Sequence, residues 1–136
     1  MPSTLTDTHA LAGAREARVI WDINATDAKR LTRQMGVIAR TYDDLLSAGA
    51  TPHMVFAFRG PAVTFIAAGH PQFEALAERL RPLMAKPNVR MEICGIAAGN
   101  NGVDLATVLD GIEPVNNTFV SLIGWQQQGY TLIPIG

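Results

Sequence analysis

Cys94 is the only cysteine in the chain, and it closes the run "VRMEIC" just before the Gly- and Asn-rich stretch "GIAAGNNG". Two uses of such a thiol are open. Unpaired Cys is among the most buried residue types and packs as a small hydrophobe. At the end of a strand, close to a helix start, unpaired backbone N–H groups instead favour the thiolate, and the thiolate is the nucleophile. Gly95 to Gly102 reads as a loop leading to a helix N-terminus near Val103, where an anion is favoured. Asn100, Asn101 and Gly102 are turn formers, and their amides can also orient a small polar ligand beside Cys94. The stretch matches neither GxGxxG nor GxxxxGKS or GxxxxGKT, so a phosphate-binding loop is not indicated.

Other chemistry is thinly represented. His9, His53 and His70 lie far apart, without i, i+4 pairing or companion cysteines, so no metal site is expected. Ser47 and Ser121 lack the Gly-rich turn of a nucleophilic serine. Asp43 and Asp44 fall on the polar side of a helical pattern, where a solvated face is the ordinary reading. Trp21 and Trp125 read as core or subunit interface. No cofactor is indicated.

The elements that must position Cys94 alternate. "RVIWDI" is β-rich and nearly continuous in its apolarity, the pattern of a strand covered on both faces, and it begins near Arg18. Thr26 is the expected N-cap of a helix, with Asp27 behind it and an apolar face at Ala28, Leu31, Met35, Ile38, Tyr42 and Leu45. Gly49 and Pro52 end that helix. "HMVFAF" is a second strand, broken at Arg59, Gly60 and Pro61. Ala62 to Ala68 fits either a strand or a buried helical turn. Phe73, Leu76, Leu80 and Leu83 mark a second helix that Pro82 should end or bend. "NVRMEICG" is a third strand, "VDLATVLDG" a short helix, "IEPVN" a fourth strand, "FVSLIGWQQQ" a helix capped by Asn117 or Thr118, and "YTLIPI" a fifth strand.

Strand and helix in alternation predict a single-domain, three-layer α/β sandwich with a mostly parallel sheet of about five strands, since parallel neighbours need helical crossovers. Such sheets place ligands beyond the carboxyl ends of their strands. Asn24 and Gly60 end the first and second strands at the same expected edge as Cys94, which makes them candidate lining residues; both are also ordinary turn residues. Residues 1–17 read as an N-terminal arm, poorly ordered or holding one short extra element, and residues 18–136 as the domain.

The order "VFAFRGPAV", "NVRMEICG", "VDLATVLDGIEPVNN" and "LIGWQQQGYTLIPI", over about Arg18 to Ile135, resembles the DsrE/DsrF-like family of small α/β sulfur-relay proteins, in its compact single-cysteine branch. The resemblance implies a five-stranded sheet flanked by helices and assembly into trimers or hexamers. It also implies that Cys94 carries sulfur as a persulfide between donor and acceptor proteins. Gly95 and the amides of Asn100 to Gly102 would then stabilise charge on the sulfur. Relatives often follow the cysteine with longer polar side chains, whereas Gly95, Ile96, Ala97, Ala98 and Gly99 stand here, and no charged residue adjoins Cys94 in sequence. A persulfide carrier needs one thiolate and no resolving partner, which suits a lone cysteine. The competing reading is a homo-oligomeric module that binds a small ligand or is purely structural.

Composition narrows the partners. The net charge is −1 and the eleven Lys and Arg residues are scattered, so the basic stripe of a nucleic-acid binder is missing. No apolar run approaches the length of a membrane helix, and the start of the chain shows no secretory pattern, so the cytoplasm is the expected compartment.

Overall fold

The computed structural model describes residues 5–136. Five strands, β1 (Glu16–Ile23), β2 (Thr51–Phe58), β3 (Val89–Cys94), β4 (Ile112–Val115) and β5 (Thr131–Ile135), form one sheet in the order β4-β3-β2-β1-β5. Every strand pair is parallel. The helices are α1 (Thr8–Leu11), α2 (Ala28–Ser47), α3 (Phe73–Met84), α4 (Gly95–Asn100) and α5 (Thr118–Gln127), with 3-10 turns at Gly60–Thr64 and Leu105–Thr107. The expected α/β sandwich with a parallel five-stranded sheet is therefore the observed fold.

Strand alternation decides which layer each side chain joins. Val19, Trp21, Ile23, Met54, Phe56, Phe58, Met91 and Ile93 pack against Leu31, Met35 and Ile38 of α2 and Leu76, Leu80 and Leu83 of α3. Ile20, Val55 and Ala57 point the other way and meet Leu122 of α5, with Trp125, Tyr130 and Leu132 around them. The chain steps from β1 to β4 across the sheet and then returns beyond β1 to place β5. Because parallel crossovers are right-handed, this reversal puts α5 on the face opposite α2 and α3. Each edge strand carries a proline, Pro114 in β4 and Pro134 in β5, which removes a donor from a row open to pairing with another chain.

Local chemistry corrects several expectations. Asp27, not Thr26, caps α2: its carboxylate accepts from the N–H groups of Lys29 and Arg30 at 3.0 and 3.1 Å. The expectation for Pro82 holds: it lies in the last turn of α3, which ends two residues later at Met84. The ambiguous stretch Ala62 to Ala68 becomes a 3-10 turn followed by an isolated bridge from Ala67 to Val108. The loop expected from Gly95 to Gly102 is helical from its first residue, as α4, and the helix expected over "VDLATVLDG" shrinks to the turn at Leu105–Thr107. Of the expected N-terminal arm, residues 1–4 lie outside the described residues; α1 is in the rest, and β1 starts at Glu16.

A buried carboxylate fastens α5 to the sheet. Glu92 of β3 faces α5 and accepts hydrogen bonds from the Ser121 hydroxyl, from Trp125 Nε1 at 3.3 Å and from Arg90 Nε at 3.0 Å. Arg90 also pairs with Glu113 of β4 and lies 5.7 Å from the centre of the Trp125 ring. Trp125 in turn meets Tyr130 edge to face at 5.0 Å. Glu92 is thus fully provided with donors, as a buried charge must be.

Phe56, fully buried in central β2, is with Phe58 among the largest fully buried side chains of this core. Phe56→Ala is expected to lower unfolding free energy by about 3–5 kcal/mol through lost burial plus a residual cavity. In urea denaturation the midpoint should fall while the slope stays unchanged.

Candidate functional site

Adjacent strands β3 and β4 send their next helices to opposite faces: α4 packs into the core shared with α2 and α3, and α5 covers the other side. A crevice opens beyond the carboxyl ends of such a strand pair, at the switch point of an open parallel sheet. Cys94, the last residue of β3, lies in that crevice.

The backbone of Cys94 is the N-cap of α4, with φ −71° and ψ 118°. The next residue must be small. A Cβ on Gly95 would stand 3.0 Å from the carbonyl oxygen of Val115, so glycine lets the end of β4 close against the start of α4. That closure brings α5 over the thiol, and the N–H of Thr118 donates to Cys94 Sγ at 3.5 Å. Thr118 sits at the helix start because Asn117 caps α5, its Oδ1 accepting from the N–H of Phe119 at 3.0 Å.

Cys94 is 6% exposed, and burial alone raises its pKa. Hydrogen bonding overcomes that effect. The N–H groups of Thr118, Ala97 and Ile96 and the Thr118 side chain all favour the thiolate, leaving the thiol below its ordinary value. The Thr118 hydroxyl has no other partner: it is buried and makes no hydrogen bond of its own in the resting arrangement. A charged sulfur is the acceptor it lacks.

Arg59, directly after β2, forms the second pole of the site. Its Nε and Nη2 donate to Asp22 Oδ1 and Oδ2 at 2.7 and 3.1 Å, a two-pronged pair with a carboxylate on neighbouring β1. The hydrogen bond with Asp22 chiefly raises the Arg59 pKa; burial opposes it, and the charges of Asp22 and Cys94 add to it. Arg59 thus senses a charged Cys94, whereas the lowering at Cys94 itself comes from hydrogen-bond donors. The guanidinium also lies 5.3 Å from the centre of the Phe119 ring. Thiol, guanidinium and ring border a cavity of about 290 Å³ that opens to solvent.

The residues expected at the site separate into two groups. Gly60, Asn100 and Asn101 line the cavity with Cys94. Asn101 Nδ2 donates to the Ala97 carbonyl at 2.8 Å and reaches that of Gly60 at 3.5 Å, tying α4 to the turn after β2. Asn24, Gly95 and Gly102 are not in the lining. Asn24 lies behind Gly60, whose φ of +57° and absent Cβ leave room for it; an added Cβ would stand 2.0 Å from Asn24 Oδ1. Gly102 borders a separate hollow with His70 and Asp104. The expected anchor for an anion near Val103 is not there, because the helix starts at Gly95.

Arg59, Asp22, Thr118 and Phe119 escaped the sequence reading as site residues. Arg59 adjoins Gly60 at a strand end already selected, and Thr118 lies three residues past the end of β4 at the same edge, so the strand-end rule applied to every strand of the sheet reaches both. Among the described residues no cluster of three or more His, Cys, Asp or Glu side chains is arranged to hold a metal. No described helix is long and apolar enough to cross a membrane.

A parallel-sheet α/β domain with a lone, ionisable thiol beyond the strand ends is the class that fold and site define. The chain belongs to the DsrE/DsrF-like family, whose model matches residues 18–135. Among solved structures it is similar to the protein of unknown function MTH1491 from Methanobacterium thermoautotrophicum, with 17% identity over 88% of this chain and 99% of that one and a TM-score of 0.73. It is also similar to the ychN protein from E. coli, at 17% identity, the same coverages and a TM-score of 0.64. Those likenesses are of fold. No curated protein matches the chain significantly.

The lowered thiol pKa has a measurable sign. Alkylation of native Cys94 by iodoacetamide should keep its rate below the free-thiol pKa of ~8.5, and the half-maximal point should return to that value once the chain is unfolded in urea. The stability linked to Cys94 ionisation is then complete above the free-thiol value and fades as pH falls through the lowered one, because the thiolate is the form the fold favours. A native half-point at or above the free value would contradict this.

Proposed function

We propose that this protein carries sulfane sulfur as a persulfide on Cys94. One observation carries the reading: the thiol stands in an open cavity among hydrogen-bond donors that favour its anion. Family membership supports a sulfur-relay role of this kind. The thiolate attacks the outer sulfur of a donor persulfide R–S–SH; a Cys94–S bond forms, the S–S bond of the donor breaks, and its electron pair leaves on R–S⁻. Handing on reverses the step, with an acceptor thiolate attacking the outer sulfur and Cys94 departing as thiolate. A thiol of lowered pKa is the better leaving group in that second step. No side chain in the cavity lining is a carboxylate or histidine, so the site works on a thiolate already formed, without a general base. The cytoplasm, where a single cysteine stays reduced, is the compartment that suits it.

The reading includes a homo-oligomer, a trimer or hexamer. α5 turns Phe119, Val120 and Ile123 outward at 60%, 66% and 57% exposure, while Leu122 on its other side is in the core. A helix apolar on both sides belongs inside an assembly, and a second copy of the chain is the occupant we assign.

Intact mass after incubation with an organic persulfide should rise by about 32 Da, the mass of one sulfur, and fall back with dithiothreitol. Cys94→Ala should abolish the gain while retaining the fold and the assembly. If the wild type gains nothing and Cys94→Ala only loses stability, the thiol is packing and the carrier reading fails. For the assembly, light scattering should give a mass of three or six chains. Val120→Glu with Ile123→Glu should yield folded monomers, and a monomeric wild type at micromolar concentration would dismiss the assignment.

A further inference from the structure

The persulfide reading leaves the donor unnamed; the lining of the same cavity narrows it. Among the residues that line it, Arg59 is the one cation, and none is a carboxylate. Asp22 occupies Nε and Nη2 of Arg59, and among the described residues Nη1 has no hydrogen-bond partner. Asn117 uses its Oδ1 as a cap, and among the described residues its Nδ2 has no hydrogen-bond partner. Thr118, 1% exposed, has a hydroxyl without a partner among the described residues, open to the charged sulfur or, once charge has moved outward, to an acceptor on a ligand. The carbonyls of Gly60 and Ala97 at the opposite wall already accept from Asn101. What the cavity offers is therefore a surplus of donors around one fixed cation. A buried polar donor without an acceptor is costly, so an empty donor-rich hollow selects a ligand that brings acceptors and negative charge.

Resting on the persulfide reading, we propose that Cys94 takes sulfur from a small anionic donor whose oxyanion end is held by Arg59, thiosulfate being the simplest of the class. The Cys94 thiolate attacks the outer sulfur of thiosulfate. A Cys94–S bond forms, the S–S bond of thiosulfate breaks, and its electron pair leaves on sulfite, with three negative charges on each side and no external oxidant or reductant. Asp22 fixes the guanidinium plane, so the edge left over is directional and remains charged at every working pH. A cavity of about 290 Å³ accommodates so small a donor together with water.

The test compares iodoacetate with iodoacetamide, which share leaving group and near-equal size and differ in charge. On the folded wild type the iodoacetate-to-iodoacetamide rate ratio at Cys94 should exceed that of the urea-unfolded chain by about tenfold, the worth of one charge-assisted contact. Sulfate should slow both reagents, Arg59→Gln should return the ratio to the unfolded value, and thiosulfate should load one sulfur with release of sulfite. An unraised ratio in the wild type, with no protection by sulfate, overturns the proposal whether or not Arg59→Gln folds. An organic persulfide without an oxyanion group separates the two readings, since its S–S bond breaks to leave one sulfur on Cys94 and a free thiolate. Loading from it alongside an unraised ratio removes the Arg59 subsite and leaves the carrier role standing. A raised ratio with loading from neither donor supports the subsite and overturns the carrier role instead.

Discussion

The reversal of chain direction after β4 is the constraint on which the site depends. Four strands laid side by side by right-handed crossovers send α2, α3 and α4 to one face of the sheet. The fifth strand joins beyond β1, so the last crossover must pass over the opposite face. α5 therefore begins beside the end of β3, and its first backbone N–H meets the sulfur of Cys94. Gly95 permits the close approach of β4 that this requires, and Glu92, two residues before Cys94 on the same face, holds the helix down through Ser121 and Trp125. Cys94 and Glu92 thus serve one arrangement: the carboxylate anchors the helix whose start tunes the thiol.

Most of the fold was legible because its signals are periodic and local. The apolar face of α2 returns at steps of three and four, and "RVIWDI" is continuous because β1 is covered from both sides. The failures have a common cause in tertiary packing. Gly95 and Gly99 argue against a helix on propensity, yet α4 forms because Ala97 and Ala98 bury their methyl groups in the core. Thr26 and Asp27 are both good caps, and only the backbone path selects the second.

The candidate site was legible one residue at a time and not as a set. Cys94, Asn24 and Gly60 follow from a rule about strand ends, and two of these three border the cavity. The pair between Asp22 and Arg59 spans 37 positions and the contact between Thr118 and Cys94 spans 24, and no local pattern encodes either. Register is what joins them: Asp22 lies opposite Ala57 in the parallel ladder, which sets Arg59 just past the strand end within reach of its carboxylate. Asn24 was drawn in by the same rule but packs behind Gly60, since the glycine's positive φ turns that segment and its missing Cβ leaves Asn24 the space.

Burial and ionisation pull against each other at Cys94, and the balance bears on what the thiol can do. A thiolate taken out of water loses solvation, and a buried thiol with nothing around it stays protonated and inert. Here several N–H donors replace the lost water, and the Thr118 hydroxyl gains an acceptor only when the sulfur is charged. The environment is therefore better matched to the ionised sulfur than to the resting thiol. On the proposed carrier reading, a persulfide would move negative charge one atom outward, toward the cavity and the unpaired edge of Arg59, without removing the donors beneath the inner sulfur. The same donors would then stabilise Cys94 as it departs. For the proposed carrier the two steps ask different things of one lowered pKa: it keeps more of the sulfur ionised for attack while weakening each thiolate as a nucleophile, and it makes Cys94 the better leaving group when the sulfur is handed on.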